Sequence, residues 1–172
     1  MKKSLIIALC CITVLFAACK KEKPYEKYLG NYKGSCLIDP TISFENPMVQ
    51  GQTVIQEVDD VTLPMEINIT AGEADDQIIV TYKPEDQEKT YTFTGTILKP
   101  EVVDFGTVTV SEVIDGYTVN ADVDMTGTLV NDIFSMSGTL NGTGYAPLFP
   151  DIPISMTGTL NAILNKQTET TK

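Results

Sequence analysis

The chain has 172 residues, a net charge of −11, and neither arginine, histidine nor tryptophan. Phosphate contacts come mainly from Lys and Arg, so an acidic chain without arginine is a poor candidate for binding nucleic acid. The absence of histidine excludes Ser-His-Asp and Cys-His catalytic arrangements and imidazole metal ligands. We therefore expect no nucleic-acid partner, no metal and no cofactor.

The first eighteen residues predict a lipoprotein signal peptide. Lys2 and Lys3 precede an almost unbroken apolar stretch, Ser4 to Ala18, that is too short for a permanent bilayer span. It ends Leu15-Phe16-Ala17-Ala18-Cys19, which resembles the bacterial lipobox, whose cysteine is lipidated after cleavage. The resemblance implies cleavage before Cys19 and a membrane anchor at that residue. An uncleaved anchor helix and an ordinary secretory signal are the alternatives.

A charged tether, residues 19–28, follows the predicted cleavage site. It contains Lys20-Lys21-Glu22-Lys23-Pro24, which has little to bury. Lipoproteins of the Bacteroidetes type that are displayed on the cell surface often carry an acidic run behind the cysteine, whereas this run is basic. The comparison implies a lipid-anchored envelope protein in the outer membrane that faces the periplasm. Residues 29–165 have the length of one domain, and residues 166–172, rich in Thr and Glu, predict a flexible tail.

Cys36 is the one cysteine left for the mature domain once Cys10 and Cys11 leave with the signal and Cys19 carries lipid. No disulfide can then form within the domain. Because Cys36 lies in a predicted strand, we interpret it as a small buried hydrophobe and not as a reactive thiol.

Alternation of apolar and polar residues dominates the domain. The pattern is clearest at 65–71, 117–126 and 152–162, and it is typical of strands with one dry and one wet face. Turn-forming residues separate nine predicted strands: 30–38, 53–63, 65–71, 77–83, 89–98, 102–111, 117–130, 132–142 and 152–164. Long sequential strands with short turns predict an all-β fold, an antiparallel meander barrel of eight or nine strands. A β-sandwich is the alternative.

A short repeat recurs in four of these strands. Its copies are Phe93-Thr94-Gly95-Thr96-Ile97, Met125-Thr126-Gly127-Thr128-Leu129, Met136-Ser137-Gly138-Thr139-Leu140 and Met156-Thr157-Gly158-Thr159-Leu160. Each glycine falls on the apolar face, where it costs packing and entropy. A bend of the barrel or a close approach of backbones explains the glycines. The alternative is that they make room for a ligand.

The opening of the domain and its late strands together carry a family resemblance. The lipobox, the segment Tyr28-Leu29-Gly30-Asn31-Tyr32-Lys33-Gly34 and the strands built on Thr-Gly-Thr resemble the calycin-like or lipocalin-like barrel lipoproteins of the Bacteroidetes. The lipocalin Gly-x-Trp signature is absent, since the chain has no tryptophan. The resemblance implies a fold and an envelope location, but no particular activity.

Two hypotheses of function follow. In the first, the barrel binds a small apolar ligand in a cavity lined by Tyr91, Phe93, Met125, Met136 and Met156. In the second, the core is solid and the domain is a structural or protein-interaction module of the envelope. The loop 145–153 is apolar and rich in proline, and it has a role in both hypotheses. It could plug the barrel, cover a ligand as a lid, or serve as a docking patch for another envelope protein. The residues expected to do this are Tyr145, Leu148 and Phe149.

Acidic pairs offer the remaining candidates for chemistry. Asp59-Asp60, Asp75-Asp76, and Asp122 with Asp124 each place two carboxylates near one another, as glycoside hydrolysis requires. Glu73 with Asp75 and Asp76 does not have the spacing of an EF-hand loop. We interpret all of these carboxylates as solvated surface groups, and we do not expect an enzyme.

Overall fold

The computed structural model describes residues 22–84, 89–99, 101–114, 117–146 and 149–168, apart from the side chains of 112–114, 117–119, 146 and 149–151. A short 3-10 helix, η1, precedes nine strands. The elements are η1 (Glu26–Tyr28), β1 (Gly30–Glu45), β2 (Thr53–Glu57), β3 (Val61–Ala71), β4 (Gln77–Tyr82), β5 (Tyr91–Lys99), β6 (Val102–Ile114), β7 (Tyr117–Val130), β8 (Ile133–Ala146) and β9 (Phe149–Lys166). The predicted all-β class is confirmed.

The strands form one antiparallel sheet that closes into a barrel. From β3 onward each strand pairs with the next one along the chain, and β9 returns to pair with β1 over thirteen residue pairs. Eight strands, β1 and β3–β9, close the barrel. The predicted meander barrel is therefore confirmed, and the sandwich alternative is wrong.

β2 is an additional strand that continues the line of β3 along β1. β3 pairs with Gly30–Ile38 of β1 and β2 pairs with Thr41–Glu45, on the same side. Between them Val58, Asp59 and Asp60 stand opposite two residues of β1, which is a β-bulge. This bulge explains how β1 passes through a proline.

Pro40 lies in the middle of β1, which the sequence predicted to end at residue 38. Its carbonyl accepts a hydrogen bond from the Val58 N–H at 3.4 Å, on the bulged side of the strand. The N–H and C=O groups of one strand residue point to the same side of the strand. The N–H that Pro40 lacks would therefore point toward residues 58–60, where the ladder is already interrupted, and no ladder hydrogen bond is lost. Proline therefore does not end the strand, and β1 continues to Glu45.

A second bulge, at Gly106, decides which side chains of β6 face inward. Gly106 adopts a φ of +60°, and the register of β6 against β7 shifts by one residue between Asp104 and Gly106. The shift changes the phase of the alternation. Phe105 in the bulge and Val108 and Val110 after it therefore all belong to the core or pack against it.

The inner face of the barrel is apolar throughout the described residues, whose buried side chains include no polar or charged residue. Cys36 is one of these side chains, with 4% exposure, and its burial raises the pKa of the thiol to about 11. The interpretation of Cys36 as a buried hydrophobe is confirmed.

Candidate functional site

The end of the barrel at which β1 begins, here called the basal end, is plugged by residues that precede the first strand. Tyr28 of η1 is fully buried, and its ring meets Phe134 edge-on with centroids 6.2 Å apart. The hydroxyl of Tyr32 donates a hydrogen bond to the carbonyl oxygen of Tyr28 at 2.9 Å, which ties η1 to β1. Burial raises the pKa of both tyrosines to about 12. The fold thus takes in residues that the sequence assigned to the tether.

Aromatic rings continue this plug into the barrel. Phe134 lies 5.8 Å from Tyr32 and 6.3 Å from Phe105, and Phe105 lies 5.7 Å from Phe93, all between ring centroids. The two phenylalanine pairs are edge-to-face, and such pairs contribute about 0.5–1.5 kcal/mol each beyond the area that they bury. The basal half of the barrel is therefore filled by protein.

The four glycines of the Thr-Gly-Thr repeat face atoms of the protein itself. A Cβ at Gly95 would lie 2.5 Å from Cε1 of Phe105, and one at Gly127 would lie 2.7 Å from Cζ of Phe134. At Gly138 and Gly158 the obstacle is backbone, namely the carbonyl oxygens of the neighbouring strand. Ring packing and close backbone approach therefore occupy the space that the alternative interpretation gave to a ligand.

The opposite end of the barrel, at which β1 ends, is here called the upper end. Several apolar side chains that face inward there pack against the core and yet remain partly exposed: Phe44, Met65, Tyr82, Val108 and Val110. At the basal end, in contrast, Tyr28 and Tyr32 have no exposure at all. These upper side chains are therefore more exposed than those of the basal plug.

The opening extends down one side because β4 and β5 are short. β3 pairs with β4 only from Ile67 to Ala71, and β6 pairs with β5 only from Val102 to Asp104. Among the described strands, none pairs with β6 from Phe105 to Ile114 on the side away from β7. We call the region above the β4–β5 hairpin, which among the described residues is bounded by the upper parts of β3 and β6, the side opening.

Tyr82 and Tyr91 stand at the lower border of the side opening. They are cross-strand partners on β4 and β5, and their rings stack with centroids 6.1 Å apart. The ammonium of Lys89 lies 4.5 Å from the Tyr91 ring centroid and donates to the carbonyl oxygen of Ser111 at 3.4 Å. The hydroxyl oxygen of Tyr91 is buried and makes no hydrogen bond. A buried hydroxyl without a partner costs about 1–3 kcal/mol.

The five predicted ligand-lining residues all lie on inward-facing positions, but not at one place. Met125, Met136 and Met156 are buried in the core with 7%, 2% and 1% exposure. Phe93 packs against the core, and Tyr91 lies on the border of the side opening. Tyr91 and Phe93 are thus partly exposed, whereas the three methionines are buried.

The predicted lid loop is mostly strand. β8 continues to Ala146 and β9 begins at Phe149, so the predicted ends of these strands, 142 and 152, are wrong. Tyr145 is 55% exposed and pairs with Pro153 in the ladder. Leu148 and the side chain of Phe149 lie outside the described residues, so a role of this hairpin as lid, plug or docking patch stays a prediction.

The acidic pairs lie on the outer surface. Asp122 and Asp124 are exposed and accept hydrogen bonds from the hydroxyls of Thr109, at 2.7 Å, and Thr107. Asp75 forms an ion pair with Lys23 at 2.8 Å. In the part of the chain that the structure describes, no group of three Cys, Asp or Glu side chains is arranged to hold a metal ion.

Two further findings concern the surroundings of the barrel. A surface pocket of about 370 Å³ lies between residues 22–27 and the segment Ile97–Lys99, where the chain enters the basal end. No helix within the described residues is long and apolar enough to cross a membrane.

No family model and no curated protein matches this chain. The barrel of eight antiparallel strands agrees with the calycin-like fold that the opening segment and the Thr-Gly-Thr strands implied.

The side opening and the basal plug are the features that the sequence did not predict. A shift in the alternation did mark the Gly106 bulge, since Val103 and Phe105 alternate in one phase and Val108 and Val110 in the other. The short lateral pairing of β4 and β5 left no such signal, because strand length alone does not say where neighbouring strands part.

Proposed function

We propose that the protein is an envelope lipoprotein, anchored through Cys19 in the outer membrane and facing the periplasm, whose barrel binds one small apolar ligand at its upper end. The difference between the two ends carries this proposal. Partly exposed apolar side chains lie at the upper end, whereas aromatic rings fill the basal half. Barrels of about eight strands have room for their own side chains or for one small ligand.

The ligand that fits this site is an apolar body with one polar group. Phe93, Val108 and Val110 offer apolar contact, and each buried methylene of a ligand contributes about 0.8 kcal/mol. The Tyr91 hydroxyl, buried without a partner, is available as donor or acceptor for a carbonyl, hydroxyl or carboxylate. The hairpin with Tyr145, Leu148 and Phe149 is the proposed lid.

Mass spectrometry of the exported domain tests the ligand. Residues 20–172, secreted into the native envelope compartment behind an ordinary signal, are purified without detergent, and native and denatured masses are compared. We expect an extra mass that is lost on denaturation and recovered by organic extraction. A bare mass would overturn the carrier function.

Tyr91→Phe sharpens this test. Losing one net hydrogen bond of about 1.4 kcal/mol weakens ligand retention roughly tenfold. The ligand-free protein should become slightly more stable, because the unpaired hydroxyl is gone. Tyr25→Phe, at the basal end, is the matched control for ligand retention and should leave it unchanged.

Fractionation of cells that express the full chain tests the anchor. Wild type is expected in the membrane fraction with acyl chains on Cys19, since two or three buried chains hold a protein firmly. Cys19→Ala should abolish the acyl label, and Cys36→Ala, at the other cysteine of the mature chain, should retain it. Protease added to intact cells should leave the protein whole. Its digestion there would contradict the periplasmic orientation.

A structural or interaction module of the envelope is the second candidate function. The exposed side chain of Tyr145 favours it, because aromatic side chains are enriched at protein interfaces. A bare mass in the first experiment, together with a partner that requires Tyr145, would favour the module over the carrier.

A further inference from the structure

The outer face of the barrel changes character at the basal end. Over most of β5, β7 and β8 the outward side chains are polar, and Thr, Ser, Asn or Asp occupies every outward position in 92–96, 120–128 and 135–143. At the basal turns apolar side chains replace them: Leu98 is 61% exposed, Val130 53% and Ile133 39%. Turn residues on a protein surface are usually polar, so exposed apolar side chains at neighbouring turns need an explanation.

Backbone hydrogen bonds join these turns to one another. The Leu129 N–H donates to the carbonyl oxygen of Glu101 at 3.0 Å, which ties the end of β7 to the residue before β6. The Lys166 N–H donates to the carbonyl oxygen of Asp132 at 2.9 Å, so the end of β9 adjoins the turn between β7 and β8. We call Leu98 and the cross-strand partners Val130 and Ile133 the basal rim.

The chain enters the barrel beside this rim. Residues 22–27 line one surface pocket together with Ile97–Lys99, so the entering chain lies next to Leu98. Cys19 comes only three residues before Glu22. An extended chain of that length spans roughly 10 Å, so a lipid on Cys19 places a bilayer surface within that distance of the entering chain. The bilayer is therefore the surface that the anchor fixes beside the rim.

The charged side chains at the basal end suit a layer of lipid headgroups. Lys27 of η1, Lys99 at the end of β5 and Lys166 at the end of β9 offset the carboxylates of Glu101 and Asp132. Lysine keeps its alkyl stem against apolar groups and its ammonium in the polar layer at such a surface. At the upper end, in contrast, the β1–β2 hairpin and the residues after it are acidic and contain no lysine: Glu45, Glu57, Asp59 and Asp60.

We propose that the basal rim contacts the bilayer in which Cys19 is anchored, with its three apolar side chains inserted among the lipid headgroups. This inference rests on the proposed anchor and adds that the barrel itself touches the membrane. Three side chains bury too little apolar area to hold a free protein on a membrane. A lipid on Cys19 makes the contact intramolecular in effect, so a weak preference of the rim for the interface is sufficient.

Quenching of fluorescence by brominated lipid tests the contact. The mature lipoprotein, purified in detergent from cells that express the full chain, is reconstituted into phosphatidylcholine vesicles whose acyl chains are partly brominated near the headgroup. A fluorophore is attached at Ile133→Cys or at Asn141→Cys, both on the outer face of β8. Cys36 does not compete for the label, because it is buried and the pKa of its thiol is about 11.

The two labelled positions should respond differently. We expect brominated lipid to lower the fluorescence at position 133 at least twofold and to leave position 141, nearer the upper end, unchanged. Equal quenching at the two positions would overturn the proposal, since a contact that is confined to the rim cannot produce it.

Substitutions of the other rim residues locate the contact. In the protein labelled at Ile133→Cys, Leu98→Ser with Val130→Ser should reduce the quenching at least twofold. Met48→Ser with Ile55→Ser is the matched control, at side chains of the upper β1–β2 hairpin that are 90% and 70% exposed, and it should leave the quenching unchanged. Thermal unfolding verifies that the variants fold. Undiminished quenching after the two rim substitutions would also overturn the proposal.

Separate outcomes distinguish a failed anchor from a failed contact. The intact mass of the same preparation shows whether Cys19 carries acyl chains. Protein that lacks acyl chains and floats free of the vesicles would overturn the anchor, and the rim contact with it. Acylated, vesicle-bound protein without quenching at position 133 would overturn the contact alone. If that protein were also a dimer in detergent, and Leu98→Ser with Val130→Ser dissociated it, the rim would pair two copies instead.

Discussion

Replacing Gly158 by alanine tests whether the repeated glycines serve packing or make room for a ligand. The added Cβ would overlap the carbonyl oxygen of Asp39 and lie 3.0 Å from the Cα of Pro40. Both are backbone atoms of β1, so no side-chain rotation relieves the contact and the two strands must move apart. Overpacking costs about 1–3 kcal/mol, and each lost ladder hydrogen bond adds about 1 kcal/mol. We expect a loss of about 3 kcal/mol.

Two other glycines provide an internal scale. At Gly127 the obstacle is the ring of Phe134, which can shift, so we expect Gly127→Ala to cost about 1–2 kcal/mol. At Gly51 no atom lies within 4 Å and φ is +79°, so Gly51→Ala should cost only the backbone strain, about 1 kcal/mol. The predicted order of destabilisation is therefore Gly158, Gly127, Gly51.

Urea unfolding of ligand-free protein measures these differences from the midpoints and slopes. A cost for Gly158→Ala no greater than that for Gly51→Ala would refute the packing explanation. If Gly158→Ala kept its stability and yet lost a bound ligand, the glycine would serve the ligand and not the sheet.

Two further predictions concern the basal plug. Because the pKa of Tyr28 and Tyr32 is raised to about 12, the unfolded chain releases protons that the folded one keeps, so stability is complete below about pH 10 and is lost as the pH rises toward 12. Each tyrosine should account for up to about 2 kcal/mol of this loss, and Tyr28→Phe with Tyr32→Phe should flatten the alkaline decline in urea midpoints; an unchanged decline would contradict it. Phe134→Ala should cost about 3–5 kcal/mol by the same assay, whereas Ile55→Ala, at a side chain 70% exposed, should cost under about 0.5 kcal/mol. Equal costs would contradict the aromatic plug.

Alternation of side chains was sufficient to predict the barrel, because it depends only on which residues share a face. It predicted β7 with its ends at Tyr117 and Val130. The turn that follows agrees, since Asn131 and Asp132 both have positive φ, 51° and 62°, as a two-residue hairpin turn requires. Local chemistry and periodicity specify such an element together.

The errors arose where tertiary context overrides a local rule. The first strand was predicted to end at residue 38, whereas β1 passes through Pro40, which the interrupted ladder opposite it makes acceptable within the strand. Tyr28 was placed at the end of the tether, although it is fully buried and its ring contacts Phe134. The point at which the β5–β6 ladder ends, at Asp104, depends on where β5 turns away from β6. The sequence of β6 does not predict that point.

The position of the proposed anchor determines what the upper end can reach. The described chain enters at the basal end, where Lys23 pairs with Asp75 in the β3–β4 turn, and Cys19 lies only three residues before Glu22. An extended chain of that length spans roughly 10 Å, so a lipid on Cys19 holds the basal end close to the membrane. β8 has 14 residues, and at about 3.4 Å each and a tilt of about 40° it rises roughly 35 Å along the barrel axis. With the barrel axis along the membrane normal, the side opening faces the aqueous compartment, so a ligand would arrive from there and not from the anchoring bilayer.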